Sequence, residues 1–191
     1  MIVYEPENEQ LLTNACMNCQ EPHYQRAYAD MENIGCCSHS PTFGLPEIQY
    51  MVVNRGVDAV EQLLFMKKKI EIRAFEVKVH AEIDPRYEQD HKKNDDPEET
   101  LRYSTCNFFK SKSGCSLADE EKPLVCRTFI CPWVEEQCGK EGQQLIQDAA
   151  RNISGSYKYR ENELRSALKT EGINLKTDVK STLHHLFHLK N

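Results

Sequence analysis

An α-rich fold, α+β at most, is what the sequence predicts: an irregular cysteine-ligated metal-binding core with short hairpin elements and surrounding helices, closed by a helical C-terminal segment. Three observations point to it. Residues 143–189 place Leu145, Ile146, Ala149, Ala150 and Ile153, then Leu164 and Leu168, then Val179, Leu183, Leu186 and Phe187 at helical spacing. Strand-like alternation is confined to one short stretch, residues 70–79. Five of the nine cysteines, Cys106, Cys115, Cys126, Cys131 and Cys138, follow at intervals that neither a helical nor a strand period generates. The chain is accordingly divided into a cysteine-cluster domain, residues 1–142, and a helical extension, residues 143–191, packed on it or available to a partner protein.

Taken in order, residues 1–15 carry few signals and are expected to form an extended or frayed lead-in. Residues 20–35 suit a short helix after Pro22, with Tyr24, Ala27 and Met31 on one side and His23 on the surface. Pro46 opens a helix whose apolar face is Ile48, Met51 and Val52 and which Gly56 ends. Asp58, followed three residues later by Glu61, starts a second helix through Val60, Leu63, Leu64 and Met66. Lys67, Lys68 and Lys69 then read as its solvated end. Ile70, Ile72, Ala74, Phe75, Val77 and Val79 alternate with polar residues as a strand does. Residues 84–100, with Asp95, Asp96, Glu98 and Glu99, read as a solvated loop.

Residues 105–117 are expected to make a hairpin-like loop around Gly114, with Phe108 and Phe109 either shielding a site or filling the core. Pro123 opens a turn before Cys126. Arg127 is assigned either a salt bridge to Glu120 or Glu121, or compensation of an anionic thiolate site. A helix from Gln143 is expected to break at Ser154, Gly155 and Ser156 and resume at Tyr157; a last helix runs over residues 175–189, carrying His184 and His188 on a solvated face.

Nine cysteines in 191 residues is a high count, and an odd one. The opening MIVYEPENEQ is acidic where an export signal is basic and apolar, so a cytoplasmic location and reduced thiols are expected. Reduced, clustered thiols point to metal. Cys16-x2-Cys19 is the step by which a tight turn places two sulfurs on one ion. The neighbours Cys36 and Cys37 diverge in any regular backbone, which suits two centres, or one centre and the core. Four thiolates satisfy zinc or an iron–sulfur cluster; Pro132 after Cys131 tips the reading toward the cluster. A net charge of −6 excludes a general basic field for nucleic acid, and the chain lacks the unbroken apolar run of about 18 residues that a membrane span needs.

The segment GCCSHSPTFGLPEIQYMVVNRG, followed by CNFFKSKSGCSLADEEKPLVCRTFICP, resembles the YkgJ-type cysteine-cluster family of zinc- or iron-chelating proteins with a CxxCxxCC signature, over roughly residues 16–135. The resemblance implies a ligand set of Cys16, Cys19, Cys36, Cys37, Cys106, Cys115, Cys126 and Cys131. It also implies an iron–sulfur cluster, 4Fe–4S in form, with zinc as the alternative. Here a segment of sixteen residues, 20–35, separates the C-x2-C step from the Cys-Cys pair, where the family has only a few. Cys138 lies outside the pattern and reads as a free thiol.

The family includes flagellin lysine N-methylases, so two functions are carried forward: a structural or redox metal centre, and a methyltransferase-like enzyme acting on protein lysine with the cluster as support. Against the second, the chain has no Gly-rich strand-to-helix turn of the Rossmann kind. An all-cysteine ligand set argues against a zinc hydrolase, which needs an open coordination position.

Overall fold

The structure is a computed structural model and describes residues 2–15, 20–31, 34–67, 69–90 and 96–189, the side chain of His23 excepted. It is an α-rich α+β fold. In place of a frayed lead-in, Ile2–Glu5 (β1) and Gln10–Thr13 (β2) form an antiparallel hairpin with Ile2 opposite Thr13. Leu11 explains why: it packs on Ile146 and Ala149, with Ile2 and Tyr4 alongside, so the hairpin is stabilised by a partner more than a hundred residues away. The helix expected after Pro22 is only one 3-10 turn, Pro22–Tyr24.

The centre of the molecule is built on Thr42–Gly44 (β3) and Leu45–Arg55 (α1). Gly44 ends the strand and caps the helix, and its N–H donates to the Glu47 carboxylate at 3.1 Å, the return half of a capping box. One face of α1 is fully buried through Ile48, Met51 and Val52. Gly56, at φ +85°, ends α1 in a conformation that disfavours a side chain. The second helix, Val57–Val60 (α2), is capped by Gly56, two residues earlier than the Asp58 signal suggests. It loosens into a π turn over Glu61–Phe65 so that Leu64 stays in the core.

The alternation over residues 70–79 is a hairpin of Ile70–Ile72 (β4) and Glu76–Val79 (β5), with Ala74 and Phe75 in its turn. β3 pairs with the other edge of β5, giving the order β3-β5-β4. The stretch read as a solvated loop, residues 84–100, follows Glu82–Ile83 (β6) and contains Arg86–Asp90 (α3) and nearly all of Pro97–Leu101 (α4). Asp96 caps α4 by accepting from Glu98 N–H at 2.9 Å. Asp95 of that acidic group lies outside the described residues, as does Lys68 of the lysine run. β6 pairs with Ser104–Thr105 (β7), and Phe109–Lys110 (β8) pairs with Gly114–Cys115 (β9) around the expected turn, where Gly114 has φ +78°.

After Leu124–Thr128 (α5) and Pro132–Gln137 (α6), one helix of 32 residues, Gly139–Thr170 (α7), runs without the break expected at residues 154–156. An interior glycine costs about 1 kcal/mol. Buried Ile153 on one side and Leu164 and Leu168 on the other hold the helix through it. At about 1.5 Å per residue this helix spans roughly 48 Å. It thereby joins the Leu11 cluster at one end to the central core at the other.

The last helix, Val179–His188 (α8), starts four residues later than expected, because Asp178 caps it and Leu175 is buried in the link, its N–H bonded to the Ala74 carbonyl at 3.0 Å. Leu183 and Leu186 complete a core shared with Phe43, Val77 and Phe108. His184 and His188 are exposed. No helix among the described residues is long and apolar enough to cross a membrane.

A Cβ built on Gly44 overlaps the Tyr157 hydroxyl. Gly44→Ala is therefore expected to destabilise the fold by about 1–3 kcal/mol. Tyr157→Phe, which removes the obstructing oxygen, should recover part of that loss in a urea-unfolding double-mutant cycle; strictly additive costs would rule the contact out.

Candidate metal centre

Three separate chain segments converge beside the β8–β9 hairpin. The first is a 3-10 turn, Gly35–Ser38, entered through Gly35 at φ +54° and closed by the Ser38 hydroxyl donating to the Gly35 carbonyl at 2.8 Å. It carries Cys36 and Cys37. The second leaves β7 and enters the hairpin: Cys106 N–H donates to the Cys37 carbonyl at 2.6 Å, and Phe109 N–H to the Cys106 carbonyl at 3.0 Å. Phe109 pairs across the hairpin with Cys115, so Cys106 and Cys115 are held at the same end of it. Phe108 is buried edge-on against Phe43, with ring centroids 5.4 Å apart, and fills the core beneath. Of the two roles carried forward for these rings, Phe108 takes the core.

Arg26 fastens the first segment to the second. Its guanidinium donates to the Ser38 hydroxyl at 3.0 Å, the Leu101 carbonyl at 3.1 Å and the Ser104 carbonyl at 2.8 Å. No local sequence signal marks this arginine, because its partners lie as many as 78 residues away.

The third segment is α5, which carries Cys126 and is set by Glu47. The Glu47 carboxylate accepts from Leu124 N–H at 2.9 Å and from the Tyr157 hydroxyl at 3.0 Å. Arg127 approaches Glu47 at 3.5 Å and Glu9 at 3.8 Å, and its Nε donates to the Lys122 carbonyl. This corrects both roles expected of Arg127. Glu121 is taken by Arg55 through a two-pronged ion pair, and Arg127 serves the buried carboxylate.

The electrostatics join the segments. Burial lifts the Cys106 thiol to about 11, with Cys37 and Cys115 adding to it. Burial lifts Cys126 to about 12, with Cys106, Cys37 and Cys115 contributing in turn. Cys115 is raised by burial and then by Cys37; Cys37 is raised by contact with the Cys36 thiol and by burial. Every pairing among Cys37, Cys106, Cys115 and Cys126 is thus close enough for one thiolate to oppose another.

Lys122 pulls the other way at Cys37, Cys115 and Cys126, but one ammonium does not balance four thiolates. A multivalent cation would, and binding it displaces protons, so affinity rises with pH. Among the described residues no three His, Cys, Asp or Glu side chains stand at coordinating distance of one point. Closing the four sulfurs on a cation therefore requires them to come closer together. The donor set, all sulfur and drawn from loops and helix ends, fits zinc or an iron–sulfur cluster.

Cys131 precedes α6, and with Cys36 it lines a small apolar cavity of about 30 Å³ against Tyr24, Phe129 and Val134. Glu21, two residues after Cys19, accepts from Trp133 N–H at 3.1 Å, which ties the described chain after the C-x2-C step to the start of α6. Cys16 and Cys19 themselves lie outside the described residues. Among the described residues, none of Cys36, Cys37, Cys106, Cys115, Cys126, Cys131 and Cys138 forms a disulfide. Cys138 donates to the Glu135 carbonyl at 3.0 Å.

Replacing Arg26 by leucine removes three hydrogen bonds from partly buried acceptors and is expected to cost about 3 kcal/mol. Its local signature is faster hydrogen exchange at the Cys106 amide. Protection there equal to that of the parent would mean that the bracket does not hold the two cysteine segments together. In comparisons with known proteins, no family model, no curated protein and no solved structure matches the chain.

Proposed function

We propose that this chain is a metal-binding cysteine-cluster protein, in which thiolates from two separated cysteine groups hold an iron–sulfur cluster, 4Fe–4S in form, or alternatively zinc. The observation that carries this reading is the mutual field of Cys37, Cys106, Cys115 and Cys126. Bringing four thiols, Cys37 and Cys106 partly buried and Cys115 and Cys126 exposed, into one another's field from segments far apart in the chain opposes their joint ionisation unless a cation occupies the space between them. The resemblance to the YkgJ-type family supports the same reading and extends the ligand set to Cys16, Cys19, Cys36 and Cys131. The role is structural or redox, and the setting cytoplasmic.

Within this reading the chain's own residues have definite tasks. Arg26 and the Cys106–Cys37 backbone bond hold the turn against the hairpin, Glu47 sets α5, and Phe108 closes the apolar floor. Bound metal would supply the positive charge that lets the thiols ionise together. A methyltransferase-like reading draws no comparable support: the described strand pairs are all antiparallel, whereas the crevice that cradles a nucleotide-like cofactor in doubly wound folds sits on a parallel sheet.

Anaerobic purification followed by metal analysis and an absorption spectrum tests the proposal. A broad visible band with bound iron is expected, and a colourless protein holding zinc selects the alternative ion. Cys115→Ser and Cys126→Ser should each lower metal content severalfold, while Cys138→Ser leaves it unchanged. A chain that is folded and binds neither metal overturns the reading.

A further inference from the structure

The chain has a net charge of −6, yet one groove on it is lined with cations. Its inner part, about 350 Å³, contains Lys69, Lys78 and His80 and no carboxylate side chain. The part that adjoins it, about 510 Å³, shares Lys69 and His80 and adds Lys67, against the single acid Glu82. The backbone holds these groups side by side: His80 N–H donates to the Lys69 carbonyl at 3.0 Å, and Asn107 donates to the His80 carbonyl at 2.6 Å. Glu71, which faces Lys78 across the β4–β5 ladder, is bonded by Arg73 at 2.8 Å. Lys67 is steered over the Phe108 ring, 5.6 Å from its centroid. The far rim is apolar, with Met66 and Ile83 73% and 41% exposed.

We propose that this groove binds a small organic phosphate, with its phosphate among Lys69, Lys78 and His80 and its apolar part lying on Met66 and Ile83. The volume is that of a small-molecule site. Two ammonium groups and an imidazole, with a third ammonium in the adjoining part, match a dianion better than a lone carboxylate, and lysine binds phosphate as a point charge. The groove's walls include Ser38 and Asn107, each next in sequence to a cysteine of the proposed centre, so an occupied groove would sit against that centre. The inference goes beyond metal binding and does not depend on it.

Calorimetric titration of the full-length chain, as purified, with phenyl phosphate and with inorganic phosphate tests it. Saturable binding at one site is expected, with phenyl phosphate the tighter ligand. The double variant Lys69→Glu/Lys78→Glu should weaken phenyl phosphate by about tenfold or more. Lys176→Glu/Lys180→Glu, an equal change of net charge on exposed residues outside the groove, should leave it unchanged. If the charge reversal prevents folding, Lys69→Gln/Lys78→Gln gives the same readout. Equal weakening by both pairs, equal strength of the two ligands, or the absence of saturable heat overturns the assignment.

Discussion

The Glu47 carboxylate, with the residue only 2% exposed, takes hydrogen bonds from three elements: the Gly44 amide at the start of its own helix α1, the Leu124 amide that starts α5 and the Tyr157 hydroxyl in the middle of α7. A buried carboxyl is costly unless its oxygens are satisfied. Burial does push its pKa up, against the pull of the amides and of Arg127. Because the donors come from separate helices, satisfying this one group fixes their relative placement. The same requirement explains Gly44, since the Tyr157 hydroxyl occupies the space a side chain would need there. Glu47 thereby helps to seat α5, and with it Cys126, beside α1 and α7.

What Glu47 does for Cys126, Arg26 does for Cys37 and Cys106. The cysteine-bearing segments are short turns and two-residue strands, and they bury little apolar surface of their own. Their positions are set instead by polar contacts from better-packed elements. This division is physically economical for thiolate chemistry: the packed core, from Phe43 to Leu186, supplies stability, while irregular backbone leaves the sulfurs free to adjust around a cation. The small cavity shared by Cys36 and Cys131 lies on the other side of the Cys36–Cys37 step, in keeping with neighbouring side chains that diverge.

Much of this fold is legible in the sequence, and its failures have physical causes. The faces of α1 and of the two halves of α7 and the turn at Gly114 are written in local periodicity and turn residues, so they read correctly; the alternation over residues 70–79 reads as strand, but Ala74 and Phe75, counted in it, form the turn of the β4–β5 hairpin. The N-terminal hairpin does not, because its stability comes from Leu11 packing on α7. The Ser154, Gly155 and Ser156 break is misleading for the same reason in reverse: tertiary burial on both sides of a weak stretch keeps it helical. Glu47 left half a signal, the acid three residues into a helix, but its bond to Leu124 spans 77 residues and no spacing reveals it. Arg127 reads either as a partner of Glu120 or Glu121 or as compensation of a thiolate site, yet Arg55 takes Glu121 and Arg127 turns to Glu47 and Glu9. Cysteine spacing marked the candidate sulfurs, and only coordinates show which of them share a field.

The central claim is that sulfur atoms from distant parts of the chain surround one metal site. X-ray absorption at the edge of the bound metal measures that shell directly. The account predicts a first shell of sulfur at about 2.3 Å. A shell made up of nitrogen and oxygen at about 2.0–2.1 Å would contradict it.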